Sequence, residues 1–231
     1  MRRGNLVRVL GAFAAVLLAS CSTYGGPPAP GSPSRAQVEE LLAAVRVIDA
    51  RPPLRGYERG CGAGEGCVFG PAWTDDNDGP GGHDGCDTRN NVLAKQLREV
   101  RFRPGTRDCV VVTGILHDPY TGKRIEFDRS EPRSVQIDHI YSLAAAWAMG
   151  ASNWPLPQRI RFANDIDFNL LAVAGAVNED KGDSTPSDWL PPAHSYHCFY
   201  AGKYLTAATR YDLPVTRADH EALRRVAARC P

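Results

Sequence analysis

Lysine is nearly absent from this chain. Of its 27 basic residues only four are Lys (Lys95, Lys123, Lys181 and Lys203), and with 26 Asp and Glu the formal charge at pH 7 is +1. That balance excludes a protein that holds a polyanion by bulk charge. Neither a basic stripe nor a recognition helix is visible, so any grip on an anion must come from a few locally focused cations. The chain also lacks a membrane-length apolar run: the N-terminal one, Val9 to Leu18, is too short for a comfortable span. No C-x2-C pair occurs, which makes structural zinc the poorer use of its cysteines.

What is present at the N-terminus has an order of its own. In MRRGNLVRVLGAFAAVLLASC, Arg2, Arg3 and Arg8 form a basic region with the short apolar run, as in a secretory signal peptide. Leu18-Ala19-Ser20-Cys21 fits the bacterial lipobox, in which Cys21 becomes the lipidated first residue of the mature chain, and a diacylated Cys supplies the two chains that stable anchoring needs. The expected organisation is a signal peptide over 1–20, a flexible Pro/Gly/Ser tether over 21–34 and one domain over 35–231. With 43% apolar residues in 231, one core is the default. The expected location is the outer face of the bacterial cytoplasmic membrane, or the exterior if Cys21 is incidental. Cleavage removes three Arg and leaves 24 basic and 26 acidic residues, a formal charge of −2.

Six cysteines remain: Cys61, Cys67, Cys86, Cys109, Cys198 and Cys230. An even count in an exported chain argues for three disulfides, and six cysteines admit fifteen connectivities. The preferred set is Cys61–Cys67, which closes a small Gly-rich loop, with Cys86–Cys109 and Cys198–Cys230. Only the first rests on proximity; nothing in the spacing selects the other two.

Periodicity places the elements. Ser34 to Gln37 reads as a capping box, and Val38, Leu41, Leu42, Val45 and Ile48 follow at helical spacing, so a helix is predicted over about 35–49. Residues 52–85 read as a long ordered loop anchored by Tyr57, Phe69 and Trp73. Asp87 or Thr88 caps a helix to about Val100. Cys109 to Leu116 and Arg124 to Phe127 flank the DPYTGK turn as a hairpin, with a third strand through 134–138 beside it. Helices are predicted over 142–149, 157–164 and 217–229, a strand over 168–173, and a short helix or tight loop over 178–182. The aromatic segment with Tyr196, Phe199, Tyr200 and Tyr204 reads as cover for the core.

The polar residues that metal-assisted chemistry requires concentrate in Gln136 to Asp183, among apolar neighbours: Asp138, His139, Asn169, Asn178 and Lys181. Asp138-His139 ends a strand, a frequent seat for catalytic groups. Asp138-His139, then Asn169, eight residues, Asn178, two residues and Lys181 resembles the DH…N-x8-[HN]-x2-K pattern of the HNH, or His-Me finger, nucleases. With CDTRNNVL (86–93) and DPYTGK (118–123), the chain resembles secreted HNH proteins related to the C-terminal domain of GmrSD-type restriction endonucleases, over roughly 54–230. Position 178 is Asn where many relatives have His, both of which serve as metal ligands in that superfamily.

The resemblance implies an α+β domain with a ββα-metal core, a β-hairpin, surrounding helices and disulfides. It implies a divalent-metal-dependent endonuclease of low sequence specificity, acting on DNA with RNA as a second candidate, and a monomer is expected. His139 would be the general base; Asp138 and Asn178 would hold one Mg²⁺, with Mn²⁺ the alternative; Asn169 would orient the His139 ring or its loop; Lys181 and Arg89 would contact phosphates. The alternative from another class is a noncatalytic exported lipoprotein binding nucleic acid or an envelope partner on the same scaffold.

Overall fold

The computed structural model describes Met1 and residues 27–231; most of the signal peptide, Cys21 and the first part of the expected tether lie outside the described residues. The remainder of that tether is not free. Ala29 is buried and its N–H donates to the Ser195 carbonyl at 2.8 Å. A Cβ on Gly202 would stand only 2.7 Å from Pro33 Cγ, so Gly202 lets this segment lie close.

In chain order the elements are α1 (Arg35–Ala44), β1 (Val47–Ile48), α2 (Thr88–Gln96), β2 (Arg98–Phe102), β3 (Val111–His117), β4 (Arg124–Asp128), β5 (Val135–His139), α3 (Leu143–Ala148), α4 (Leu156–Ala163), β6 (Leu170–Ala174), α5 (Gly175–Lys181), α6 (His197–Arg210), β7 (Val215–Thr216) and α7 (Arg217–Ala227). Single 3-10 turns lie at Ala151–Asn153 and His194–Tyr196. The fold is α+β, with a β2-β3-β4 antiparallel sheet, a β5-β6 antiparallel pair and a small parallel β1-β7 pair.

The β5-β6 pair sits between two apolar cores, which explains its composition. On β6 (LLAVA), Leu170 and Ala172 join a smaller core with Val92 and Leu93 of α2, while Leu171 and Val173 join a larger one built on α1, α3, α4, α6 and α7. A strand covered on both faces needs an unbroken apolar run. On β5 the alternation is stricter: Val135 and Ile137 enter the smaller core, and Gln136 and Asp138 face the other way, towards α5. Gly175 is required where β6 turns into α5, because a Cβ there would meet the Arg133 carbonyl oxygen at 1.9 Å.

Three element expectations are corrected. The first helix stops at Ala44 because Val45 turns extended and Val47–Ile48 pair with Val215–Thr216. The second stops at Gln96, and the β-permissive stretch after it becomes β2, which supplies the third strand of the hairpin sheet. The strand through 134–138 therefore lies not beside the hairpin but against β6, from Val135↔Ala174 to His139↔Leu170. The aromatic segment packs on the core as expected, largely as a helix, α6, burying Tyr200 and Tyr204. The Ser34–Gln37 capping box and the Asp87 cap form as their sequences predict, and Ser142 caps α3.

The disulfides are Cys61–Cys67, Cys86–Cys109 and Cys198–Cys230. The last joins the first turn of α6 to the end of α7 and closes a loop of 32 residues. Replacing both Cys198 and Cys230 with Ser should lower unfolding free energy by about 2–4 kcal/mol in urea titrations. An unchanged midpoint would show that α7 needs no covalent fastening.

Candidate active site

Two strands and one short helix bring the polar residues of the 136–183 stretch together. His139 and Asp138 end β5, Asn169 immediately precedes β6, and Asn178 and Lys181 lie three apart on α5, on one face of that helix. Asp138, His139 and Asn178 line a single cleft of about 500 Å³, with Tyr57, Arg59 and Gln136 among its other walls.

The Asp138 carboxylate is the most tightly held group in this arrangement. Lys181 Nζ donates to its Oδ1 at 2.9 Å and to the His139 carbonyl at 3.1 Å, while the Tyr120 hydroxyl donates to Oδ2. Lys181 is 1% exposed and Asp138 5%, so the pair is an interior one. Burial first, then the Asp138 charge, pushes the Tyr120 hydroxyl well above its ordinary value, so it remains a donor. Each carboxylate oxygen carries a second lone pair, so Asp138 could accept these bonds and still ligate a cation.

His139 is defined by what surrounds its ring. Trp73 stacks on it, with centroids 5.5 Å apart and planes 12° apart, and Nε2 lies 2.8 Å from the Ala163 carbonyl. A carbonyl only accepts, so Nε2 carries the proton and the neutral ring keeps its lone pair on Nδ1. Burial, then the nearby Arg59 charge, lowers the imidazole from 6.5 to about 3, the Ala163 bond opposing this in part and Lys181 adding to it. Asn169 serves the loop rather than the ring. Its Oδ1 accepts from the Tyr141 N–H at 3.0 Å, its carbonyl accepts from the Ile140 N–H at 2.9 Å, and Nδ2 reaches the Phe162 carbonyl at 3.5 Å.

Asn178 donates from Nδ2 to Gln136 Oε1 at 2.8 Å, leaving its Oδ1 without a hydrogen-bond partner among the described residues. Two hard oxygen donors, one charged and one neutral, in a cleft with room for water and phosphate, fit a cation of the Mg²⁺ kind. No group of three His, Cys, Asp or Glu side chains able to close on one ion occurs among the described residues.

Two predicted phosphate contacts need correction. Lys181 is wholly committed to Asp138 and the His139 carbonyl, and it pins α5 to β5. Arg89 does not line the cleft; its Nη2 donates to the Pro132 and Val135 carbonyls at 3.1 and 3.0 Å, holding the chain where it enters β5. The cation that does line the cleft is Arg59, an exposed side chain with no hydrogen bond or ion pair among the described residues. It sits two residues before Cys61, whose bond to Cys67 closes the loop beside it.

Sequence reasoning also missed Tyr120. DPYTGK reads as a turn, and its Asp118 does shape one, accepting from the Thr121 N–H. The same carboxylate accepts from the Ala174 N–H at 3.0 Å, which docks the turn on β6 and delivers Tyr120 to Asp138. A Tyr in a turn carries no periodic signal; only the family resemblance marked the segment.

Two outcomes follow from this geometry. Lys181→Met should destabilise the protein by about 3–5 kcal/mol in urea unfolding, because it leaves the Asp138 charge buried and unpaired; a loss below about 1 kcal/mol would contradict an interior pair. The unfolded His139 binds a proton near 6.5 and the folded one only near 3, so its contribution makes stability fall as pH drops across that window, by at most about 1.4 kcal/mol per unit. Urea midpoints at pH 7, 5 and 4 should therefore decline more steeply for wild type than for His139→Ala. Parallel declines would contradict the buried neutral ring.

Comparison with known proteins accords with this construction. The family model for "GmrSD restriction endonucleases, C-terminal domain" matches residues 87–226, which include Tyr120 and the whole β5-β6-α5 unit but not Arg59 or Trp73. An uncharacterized secreted protein of Arthroderma benhamiae is 33% identical over 207 residues, covering 88% of this chain and 90% of that protein. No solved structure matches. With well over half of its length inside that model, and the paired strands and helix inside the matched part, this chain belongs to the GmrSD restriction endonuclease C-terminal domain family.

Proposed function

We propose that the protein is an exported, divalent-metal-dependent endonuclease of the HNH type that hydrolyses phosphodiester bonds of DNA with low sequence specificity. The observation that carries this reading is the shared cleft: an imidazole with a fixed tautomer opens onto the same space as a carboxylate and an amide whose oxygen is unpartnered. Family membership supports nuclease chemistry. The three disulfides, and the secreted relative, support export.

In this reading the negative charge of a bound phosphate offsets the Arg59 charge that depresses His139, Nδ1 takes a proton from water, the hydroxide oxygen bonds to phosphorus, and the bond from phosphorus to the leaving oxygen breaks, that oxygen taking a proton from solvent. A Mg²⁺-type ion held by Asp138 and Asn178 would supply positive charge to the phosphate and the leaving oxygen. Arg59 takes the role first expected of Arg89, pairing its planar guanidinium with a nonbridging phosphate oxygen. Asn169 keeps the loop after His139 in register, and Lys181 with Tyr120 holds the carboxylate of Asp138. A formal charge near zero gives no extended phosphate footprint, and the sequence shows no recognition helix to read base edges, which supports low specificity.

Plasmid nicking should require Mg²⁺ or Mn²⁺ and stop with EDTA. His139→Ala should lower the rate about 10²–10⁴-fold, and Arg59→Ala should lower it as well while leaving the fold intact by circular dichroism. Nicking that survives both EDTA and His139→Ala would overturn the mechanism. A folded wild-type protein that binds DNA without cutting it in either metal would favour a binding module.

A further inference from the structure

On the wall of the cleft Asn178 is tied by a relay of hydrogen bonds to two side chains that the chemistry above does not use, Gln136 and Glu179. Asn178 Nδ2 donates to Gln136 Oε1 at 2.8 Å, and Gln136 Nε2 donates to Glu179 Oε1 at 2.7 Å. Gln136 is two residues before Asp138 on the same face of β5, and Glu179 follows Asn178 on α5, so the relay crosses the same strand–helix junction as the Lys181–Asp138 pair.

The direction of this relay is not arbitrary. A carboxamide has a donor end and an acceptor end of nearly the same shape, and nothing intrinsic decides which end an Asn turns towards a neighbour. An ionised carboxylate only accepts. Glu179 therefore requires the nitrogen of Gln136, which leaves Gln136 Oε1 as the acceptor for Asn178. Asn178 must then present its nitrogen to Gln136 and keep its oxygen for the cleft. The alternative flip would turn an NH₂ group, which cannot ligate a cation, into the cleft.

We infer that Gln136 and Glu179 are positioning residues that fix the amide of Asn178 so that Oδ1 faces the bound cation. This rests on the reading of Asn178 as a ligand. It also makes a demand specific to this chain: with Asn at position 178, the ligand atom depends on amide polarity, and the relay supplies it. A carboxylate there would need no such help, since either end is oxygen.

The test is Mn²⁺ binding, followed by loss of the free-ion electron paramagnetic resonance signal, in wild type and in Gln136→Ala, Glu179→Gln and Asn178→Asp variants whose folding is checked by circular dichroism. Gln136→Ala keeps the Glu179 charge but cuts the relay, and it should weaken binding about 10-fold or more, as should Glu179→Gln. In the Asn178→Asp background both substitutions should change affinity less than about 2-fold, restoring tight binding without the relay. If Gln136→Ala binds as tightly as wild type while Glu179→Gln does not, Glu179 acts only through its charge and the relay is refuted. If both bind as wild type does, it is likewise refuted while the metal reading stands. A wild-type protein with no Mn²⁺ site sensitive to Asp138→Ala overturns the metal reading and the relay with it.

Discussion

The interior ion pair between Lys181 and Asp138 is the constraint on which the rest of this site depends. Removing both charges from water costs several kcal/mol per ion, and a pair of apolar side chains would hold α5 to β5 at less cost. What an apolar pair could not do is present an oriented carboxylate at the end of a strand. Lys181 takes one oxygen and Tyr120 the other, so the plane of the Asp138 carboxylate is set by two donors from different parts of the chain. The same ammonium donates to the His139 carbonyl and so fixes the backbone of the neighbouring histidine. A seven-residue helix has little stability of its own, and this pin accounts for its exact seat on the sheet without a side-chain cap at its N-terminus.

Around that pin, the two halves of the cleft are prepared in opposite ways. His139 is kept neutral: Trp73 covers one face, the Ala163 carbonyl accepts from Nε2–H, and burial with the Arg59 charge holds its proton affinity down. Asp138 accepts from Lys181 and Tyr120, while Asn178 keeps its Oδ1 without a hydrogen-bond partner among the described residues. Asp138 faces α5 and the ring of His139, at the strand end, lies against the loop that carries Trp73 and the end of α4, yet all three side chains line one cleft.

Much of this was legible in the sequence because it is local. The apolar run through 135–140 reads as a strand ending in Asp138-His139, the resemblance carried by Asn169, Asn178 and Lys181 implies the strand–helix unit, and the caps at Ser34 and Asp87 form as written. What was not legible depends on contacts between distant segments. Lys181 reads as a phosphate contact until Asp138 is seen to pair with it. Arg89 reads as a phosphate contact until the Pro132 and Val135 carbonyls are seen beside it. Arg59 lies in a Gly-rich loop with no periodicity, and only the path of that loop, closed by Cys61–Cys67, brings it to the cleft. The pairing of 134–138 with β6 rather than with the hairpin was hidden for the same reason, because an apolar run does not say which core covers it.

The central claim is that Asp138 and Asn178 hold a cation within reach of His139. Anomalous scattering from crystals soaked in Mn²⁺ measures this directly. The account predicts one peak in the cleft, bound by Asp138 and by Oδ1 of Asn178 at about 2.0–2.3 Å, on the side of a bound phosphate away from His139 Nδ1. No peak there, or a peak coordinated only by Glu179 and Asp183, would contradict it.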